Sequence, residues 1–382
     1  VWSEGMFLRT QHFQQQDRWV ESLVRAAVRG LVGWGWGFRK LALNTGLLAT
    51  GKVALAEAEG VFQDGTPFAV PGSADHPEPL AIGEATREGL IFLTVVAEQP
   101  GAAEIDPESG PDTGARYRGR AVEIKDAIAG AEARATIEIA TPKLRLVHER
   151  DLAGGLIGLA VARVKGLEPD GSVVLDPEHI PPCLTIAAHP VFESFLAELE
   201  GKLETIATAR VGYVVAPAAR GTGEWQDLLV LELVNRAKPY VAHLHQQRTW
   251  HPERLFGYLV SLAGEMATYG TSERRPPAFP VYRHQDLAGC FKPVLDTLRR
   301  LLTELARPER KANPVPLKVH KTGIRTTEAV NPQLFAEATF VLSVAAAMTP
   351  EKVRQQFPRL TTIAPAEEFP DLWNTRLRGI EV

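Results

Sequence analysis

The spacing of apolar residues changes twice along this chain, and the changes divide it. From Phe13 to Leu31 the residues Phe13, Val20, Leu23, Val24, Ala27 and Leu31 recur at helical intervals, with Asp17, Arg18, Glu21 and Arg25 on other faces. The pattern predicts an amphipathic helix ending near Gly30 or Gly33, because Gly33-Trp34-Gly35-Trp36-Gly37 is too glycine-rich to extend it. From there to about Asp176 the period is that of strands. Short β-rich runs at 52–58, 89–98, 120–128, 135–140, 143–147 and 156–166 lie between turns such as Asp64-Gly65 and Asp170-Gly171. Alternation is clean in Thr136-Ile137-Glu138-Ile139 and Lys143-Leu144-Arg145-Leu146-Val147, as in half-buried antiparallel strands. The polar loop 99–114, with Pro100, Pro107 and Pro111, is expected to be exposed and mobile. Residues 1–184 therefore predict a β-sandwich or barrel with one helix near its start. Pro181-Pro182 closes it, since two prolines cannot donate to a ladder.

The second change comes at Pro190. Phe192, Phe195, Leu196, Leu199, Leu203 and Ile206 then follow a helical period. A second helix opens at Glu224-Trp225 and is apolar on most faces through Leu228, Leu229, Leu231 and Leu233, with Pro239 expected to kink or end it. A third starts at Pro252, with Leu255, Leu259, Leu262, Ala263 and Met266 on one face. A fourth runs from Gln285 through Leu287, Phe291, Leu295, Leu298, Leu302 and Leu305, with Pro293 interrupting its first half. Residues 185–312 thus predict a four-helix bundle. The second helix asks for neighbours on more than one side, in the bundle centre or in another subunit.

After the charged linker Arg307-Pro308-Glu309-Arg310-Lys311 the pattern mixes. Residues 317–325 alternate like a strand, 338–346 reads as a buried strand, a helix start is expected at Thr349-Pro350-Glu351, and 372–377 reads as a short last helix. Residues 313–382 form a small α+β lobe by this pattern. The whole is a multidomain α+β protein.

The first sixteen residues combine apolar side chains (Trp2, Met6, Phe7, Leu8, Phe13) with four glutamines in six positions, Gln11 and Gln14 to Gln16. Amides can be buried only where they find partners, since an unpaired buried polar group costs roughly 1–3 kcal/mol. Such a segment suits a place against other backbone, in its own fold or in another subunit. Two readings stay open: a strand and turn leading into the helix, or an interface that includes Trp2, Met6, Phe7, Gln11, His12 and Phe13.

The run Trp2-Ser3-Glu4-Gly5-Met6-Phe7-Leu8-Arg9-Thr10-Gln11-His12-Phe13-Gln14-Gln15 also resembles the opening of the TssK family, also called ImpJ or VasE. Its signature reads Trp-x-Glu-Gly-Met-Phe-Leu-x-Pro-Gln-His-Phe-Gln-Gln. The chain departs at Thr10, where proline is usual, which restores a backbone donor there. Leu144-Arg145-Leu146, Ile180-Pro181-Pro182-Cys183-Leu184, Leu259 to Glu265 and Tyr282 to Asp286 resemble the family as well. The resemblance implies a trimeric adaptor of the type VI secretion baseplate, with an N-terminal domain similar to the shoulder of phage receptor-binding proteins. It implies partners too: TssF and TssG wedge proteins at the N-terminal domain, and the cytoplasmic parts of TssL and TssM, within the TssJLM membrane complex, at the C-terminal lobe. Family members continue with further strands beyond this point, so the lobe is expected to be incomplete.

Composition narrows the remaining classes. At 382 residues two or three domains are expected, and a net charge of -4 gives no broad electrostatic reason to bind nucleic acid or an anionic membrane. Two distant cysteines, Cys183 and Cys290, make no metal-ligand spacing and suit a reducing compartment. No export signal is visible, and the longest apolar run, 340–348, is well short of the ~20 residues of a spanning helix. A cytoplasmic protein docked to a membrane machine, without inserting in the membrane, is the expectation.

Catalytic patterns are incomplete. Gly46 to Lys52 imitates a P-loop, but Val53 stands where Ser or Thr would reach Mg²⁺, and the following residues alternate as a strand. His243 and His245 point in different directions on a helix, and with His251 they read as a solvated cluster near a helix end. The pair His284 and Asp286 lacks a nucleophile in a recognisable elbow and reads as a helix entry. The expectation is no enzyme, no cofactor and no metal. A hydrolase or transferase assembled only in three dimensions, and a stand-alone phage-type receptor-binding module, are the alternatives. A deep pocket with convergent polar groups marks the former, and large apolar patches mark an adaptor.

Overall fold

The computed structural model describes residues 3–128, 130–214 and 222–306, and within the C-terminal part 315, 317–320, 323–327, 342, 352–353, 356–357 and 360–375. Contacts divide the chain into two units, 1–214 with 222–307, and 215–221 with 308–382.

In the first unit the chain enters through helix α1 (Thr10–Leu31), three residues earlier than its apolar period suggests. Thr10 is the first helical residue, where a proline's missing N–H is tolerated. Threonine in the family's proline position therefore leaves the helix start intact. After α1 come strand β1 (Gly37–Leu43), a single turn α2 (Thr45–Leu48), and then β2 (Lys52–Val53), β3 (Leu55–Val61), β4 (Pro67–Val70), β5 (Leu80–Ala81), β6 (Gly89–Val96), β7 (Ile105–Asp106), β8 (Tyr117–Asp126), β9 (Gly130–Pro142), β10 (Arg145–His148), β11 (Leu156–Leu167) and β12 (Val173–Leu175). One antiparallel sheet has the order β1-β3-β4 and another β10-β6-β11-β12. Alternation, shifted in β3 by an irregularity between Leu55 and Glu57, sends Phe38, Leu55, Ala58 and Phe68 of the first sheet, and Ile91, Leu93, Leu159 and Val161 of the second, into one buried cluster. Lys52-Val53 is strand, so the sequence that imitates a P-loop is not followed by the helix N-terminus a phosphate requires.

Four long helices follow: α3 (Pro190–Val214), α4 (Thr222–Gln246), α5 (Pro252–Gly270) and α6 (Leu287–Ala306). Each touches two others, α3 with α4 and α6, α5 with α4 and α6. Their apolar stripes meet at Phe192, Leu199, Val234, Leu259 and Leu298. The strands and the helices share one continuous core, from Phe38 to Leu305. Gly37 makes the join: Phe38 N–H donates to Pro182 O and Leu184 N–H to Phe38 O, both at 2.8 Å. A Cβ on Gly37 would sit 2.7 Å from Pro182 O, and its φ of +120° already excludes most side chains.

Three local expectations are corrected. Helix α4 runs through Pro239 and α6 through Pro293 without a break. A helical proline frees the carbonyl four residues before it; Asn235 and Gly289 are both exposed, so water can serve those oxygens. Loop 99–114 is exposed, as expected, apart from Asp106 and half-buried Glu104 and Gly110, but it is tied down: buried Asp106 accepts from Thr113 and from Lys143 Nζ, while Asp112 accepts from Lys143 and Arg145. The Lys143 hydrogen bond first, and the Gly114 N–H after it, hold the Asp112 carboxyl down at about 2.

In the second unit β13 (Lys318–Val319) pairs antiparallel with β14 (Arg325–Thr326), and α7 spans Phe369–Thr375. The linker expected at 307–311, the helix start at 349–351 and, apart from Leu342, the strand expected at 338–346 lie outside the described residues.

Candidate protein-interaction surface

Helix α1 is turned inside out. An amphipathic surface helix ordinarily lays its apolar stripe on the body and its charges in water. Here Arg18, Arg25 and Arg29 fall on one stripe and reach the body: Arg18 pairs with Glu104 and Arg25 with Glu98, each at 3.2 Å, and Arg29 donates to Asp64 O. Of the opposite stripe, Phe13, Leu23 and Leu31 face water, while Val20 and Val24 border a cleft against the body. Leu31 is 86% exposed and Leu23 53%; on the arginine stripe the Arg25 side chain is 20% exposed, while Arg18 at 52% and Arg29 stay exposed, and α1 buries no residue. Exposed ion pairs of this kind contribute about 0–1 kcal/mol each, which is little to hold a 22-residue helix with its apolar side in water. Beneath α1 an apolar cleft of about 680 Å³ is lined by Val20, Val24, Val28, Phe62 and Pro67.

The residues expected at an interface are placed as follows. Phe7 is 92% exposed, Phe13 and Gln11 are exposed, and Met6 and His12 are half-buried. His12 Nδ1 accepts the backbone N–H of Arg9 at 3.0 Å and so closes the first turn of α1. Trp2 lies outside the described residues. On α4, Leu228 and Leu229 are each 42% exposed and Leu231 half-buried, while Val230, Leu233 and Val234 are buried. The N-terminal and α4 residues belong to different stretches of surface, α1 with its leader and the outer side of α4.

A pair of imidazoles fixes where α1 leaves the body. His284, fully buried, donates Nε2–H to Trp36 O at 2.8 Å, and its Nδ1 accepts the Tyr282 hydroxyl at 2.7 Å. His251 repeats the arrangement: Nε2–H donates to Trp34 O at 3.0 Å and Nδ1 accepts Glu253 N–H, capping α5. A carbonyl oxygen can only accept, so the Trp36 and Trp34 carbonyls place the proton on Nε2 of both neutral rings, and Glu253 N–H confirms Nδ1 of His251 as the acceptor. The two rings stack 5.2 Å apart, and Trp36 meets His284 edge-on at 4.5 Å. Burial pushes His284 down to about 4, against the Trp36 hydrogen bond, and the neighbouring His251 lowers it further; burial likewise lowers His251. This corrects the reading of His251 as a solvated histidine. His245 instead pairs with Glu200 at 3.0 Å, and Asp286 caps α6 by accepting Gly289 N–H. The clamp escaped sequence reasoning because its acceptors are backbone carbonyls, which carry no side-chain signature. The inverted α1 had a signal, the shared stripe of Arg18, Arg25 and Arg29.

Among the described residues no group of three or more His, Cys, Asp or Glu side chains could hold a metal ion, and no helix is long and apolar enough to cross a membrane. Cys183 is fully buried, and burial pushes its thiol far up, away from nucleophile chemistry. The surface offers apolar area and little reactive chemistry.

Comparison with known proteins fits that surface. Residues 12–382 match the family described as bacterial type VI secretion, EvfL, ImpJ, VasE. The chain is 40% identical over 380 residues to the type VI secretion system baseplate component TssK1 of Pseudomonas aeruginosa, covering 100% of this chain and 85% of that protein. It is similar to a crystal structure of TssK (TM-score 0.76, 32% identity, 100% of this chain and 86% of that one). Its fold is also that of a chain in the cryo-electron microscopy structure of a TssK-TssF-TssG baseplate subcomplex (TM-score 0.70, 24% identity, 79% of this chain and 97% of that one).

Proposed function

This chain belongs to the TssK (ImpJ, VasE) family of bacterial type VI secretion, and from that membership we propose that it is a structural adaptor of the secretion baseplate, joining the TssF and TssG wedge to the cytoplasmic side of the TssJLM membrane complex. It acts by binding proteins, without catalysis, cofactor or metal, in the cytoplasm at a baseplate docked on the inner membrane. The observation that carries this reading is the inverted α1. An exposed apolar stripe of this length marks a surface that other protein covers.

The working form is a homotrimer. Support comes from α1, from Leu228 and Leu229 on α4, and from the family. We read residues 1–184 as the N-terminal β-sandwich of phage-shoulder type that faces the wedge, with Met6, Phe7 and Phe13 close to the contact. Residues 185–312 are the four-helix bundle, and the lobe 313–382 faces TssL and TssM. A chain of similar fold is seen with TssF and TssG, which supports the wedge assignment.

Leu23→Asp tests the reading. The side chain is half exposed in the single chain, so a charge there spares the fold. By light scattering the variant is expected to lose the trimer mass. A folded variant that keeps both the trimer and TssF–TssG capture rules the α1 face out as the assembly surface.

A further inference from the structure

Six residues of α1 recur every seven positions, in two interleaved rows. Phe13, Val20 and Ala27 make one row, and Gln16, Leu23 and Gly30 the other. The mean spacing is 3.5 residues, the period of a coiled-coil seam, with the first row at the a positions and the second at the d positions. All six are exposed and none is charged. Val20 stands at the edge of the seam, where it also borders the cleft. Arg18 and Arg25 hold the f positions, farthest from the seam, and they are the residues that reach Glu104 and Glu98 of the body. Those ion pairs therefore turn the seam outward.

We propose that this seam is where α1 meets the α1 of another copy of the same chain, the helices running parallel and in register. The proposal rests on the homotrimer reading and gives it a contact, three parallel α1 helices about the symmetry axis. The flanking positions argue for a second copy. In a parallel coiled coil a g residue of one helix stands beside the e residue five positions on in its neighbour. Here the g residues are His12, Trp19 and Ala26, and the e residues are Asp17, Val24 and Leu31. The flanking pairs are then His12 with Asp17, Trp19 with Val24 and Ala26 with Leu31, one imidazole beside a carboxylate and two apolar contacts. Trp19 is 61% exposed in the single chain, and this pairing covers it. An antiparallel pair sets e beside e instead. Asp17 then falls beside Val24 or Leu31 of the other helix, where a carboxylate loses water and gains no partner. Gln16 is the one polar residue of the seam. It meets its own equivalents only when the copies are in register, and a single polar residue in such a seam fixes register at a cost in stability. The small Ala27 and Gly30 let the helices come close at the end nearer the body. A helix that buries nothing in its own chain gains its burial from its equivalents.

Single cysteines in the full chain test this, since the native Cys183 and Cys290 are buried. Gln16→Cys and Ala27→Cys lie about 16 Å apart along α1 at ~1.5 Å per residue. Under mild oxidation each variant alone is expected to give a disulfide-linked band at twice the chain mass, because parallel helices bring each position against itself. Gln15→Cys, exposed on another face of α1, is the control, and its linked yield is expected to be at least tenfold lower. All three positions are exposed in the single chain, so the substitutions spare the fold, and light scattering reads the particle mass of the same samples. A trimeric wild type whose Gln16→Cys and Ala27→Cys chains link no more than Gln15→Cys overturns the seam and leaves the trimer standing. Linking that appears only when Gln16→Cys and Ala27→Cys chains are mixed overturns the parallel register. A monomeric wild type overturns both the seam and the trimer.

Discussion

The imidazole of His284 donates its Nε2–H to the carbonyl oxygen of Trp36 at 2.8 Å, across 248 positions of sequence. That bond, doubled by His251 on Trp34, ties the hinge behind α1 to the helical end of the core. It requires both rings to be neutral and holds them stacked in a buried place. A helix with no buried residue of its own is thereby given a fixed exit from the body.

Acid should loosen this point. The pKa of His284 falls from an ordinary 6.5 to about 4 in the fold, so between those values the unfolded chain binds the extra proton. Stability contributed by the neutral ring is complete above pH 6.5 and is lost as pH falls toward about 4, on the order of 3 kcal/mol for this group. His179 and His189, also lowered to about 4 by burial, act in the same direction. Urea unfolding at pH 7, 6 and 5 is expected to show falling stability, with a shallower slope for His284→Gln. An equal slope in the variant excludes His284 as a contributor.

Arg116 is the second buried polar node. Its guanidinium is 2% exposed and donates to Val96 O, Asp64 and Thr66, tying β6 to the turn before β4. Burial raises the Asp64 carboxyl, but the Thr66 N–H and the Arg116 charge outweigh it and the net shift is down. Arg116→Ala leaves Asp64 without its cation and is expected to cost roughly 3–5 kcal/mol in urea unfolding. A loss under about 1 kcal/mol means water replaces the guanidinium freely.

Much of this was legible in the chain, for physical reasons that can be named. The period of Phe13, Val20, Leu23 and Leu31 shows a helix wherever that helix packs, so α1 was readable and its orientation was not. Its orientation involves Glu98 and Glu104, far along the sequence, which take Arg25 and Arg18. Pro239 and Pro293 misled because a proline's cost depends on whether water reaches the freed carbonyl, a fact of tertiary exposure. Loop 99–114 looked mobile because its polar residues gave no hint that Lys143 would pin Asp106. Met6, Phe7 and Phe13 were readable as apolar, while burial alone distinguishes core from contact surface.

Phe7 now separates those two roles. It is 92% exposed in the single chain, so Phe7→Asp should leave the unfolding midpoint within about 0.5 kcal/mol of wild type, as for other surface changes. Its expected effect is reduced capture of TssF–TssG. Loss of the trimer together with capture assigns Phe7 to the subunit contact; unchanged capture and mass give it neither role.

The C-terminal lobe is expected to be separable. A cut near Lys311 removes no residue of the buried cluster that ends at Leu305. The shortened protein should remain trimeric and capture wedge proteins, yet fail to pull down the cytoplasmic domains of TssL and TssM. Aggregation or loss of the trimer after the cut contradicts a separable lobe.

The most direct measurement is the mass of the native particle by light scattering coupled to gel filtration, alone and with TssF and TssG added. An adaptor whose α1 stripe is covered by other copies runs at three times 41.7 kDa at micromolar concentration and grows heavier when the wedge proteins are present. A particle of 41.7 kDa that stays at that mass in their presence contradicts both the trimer and the adaptor.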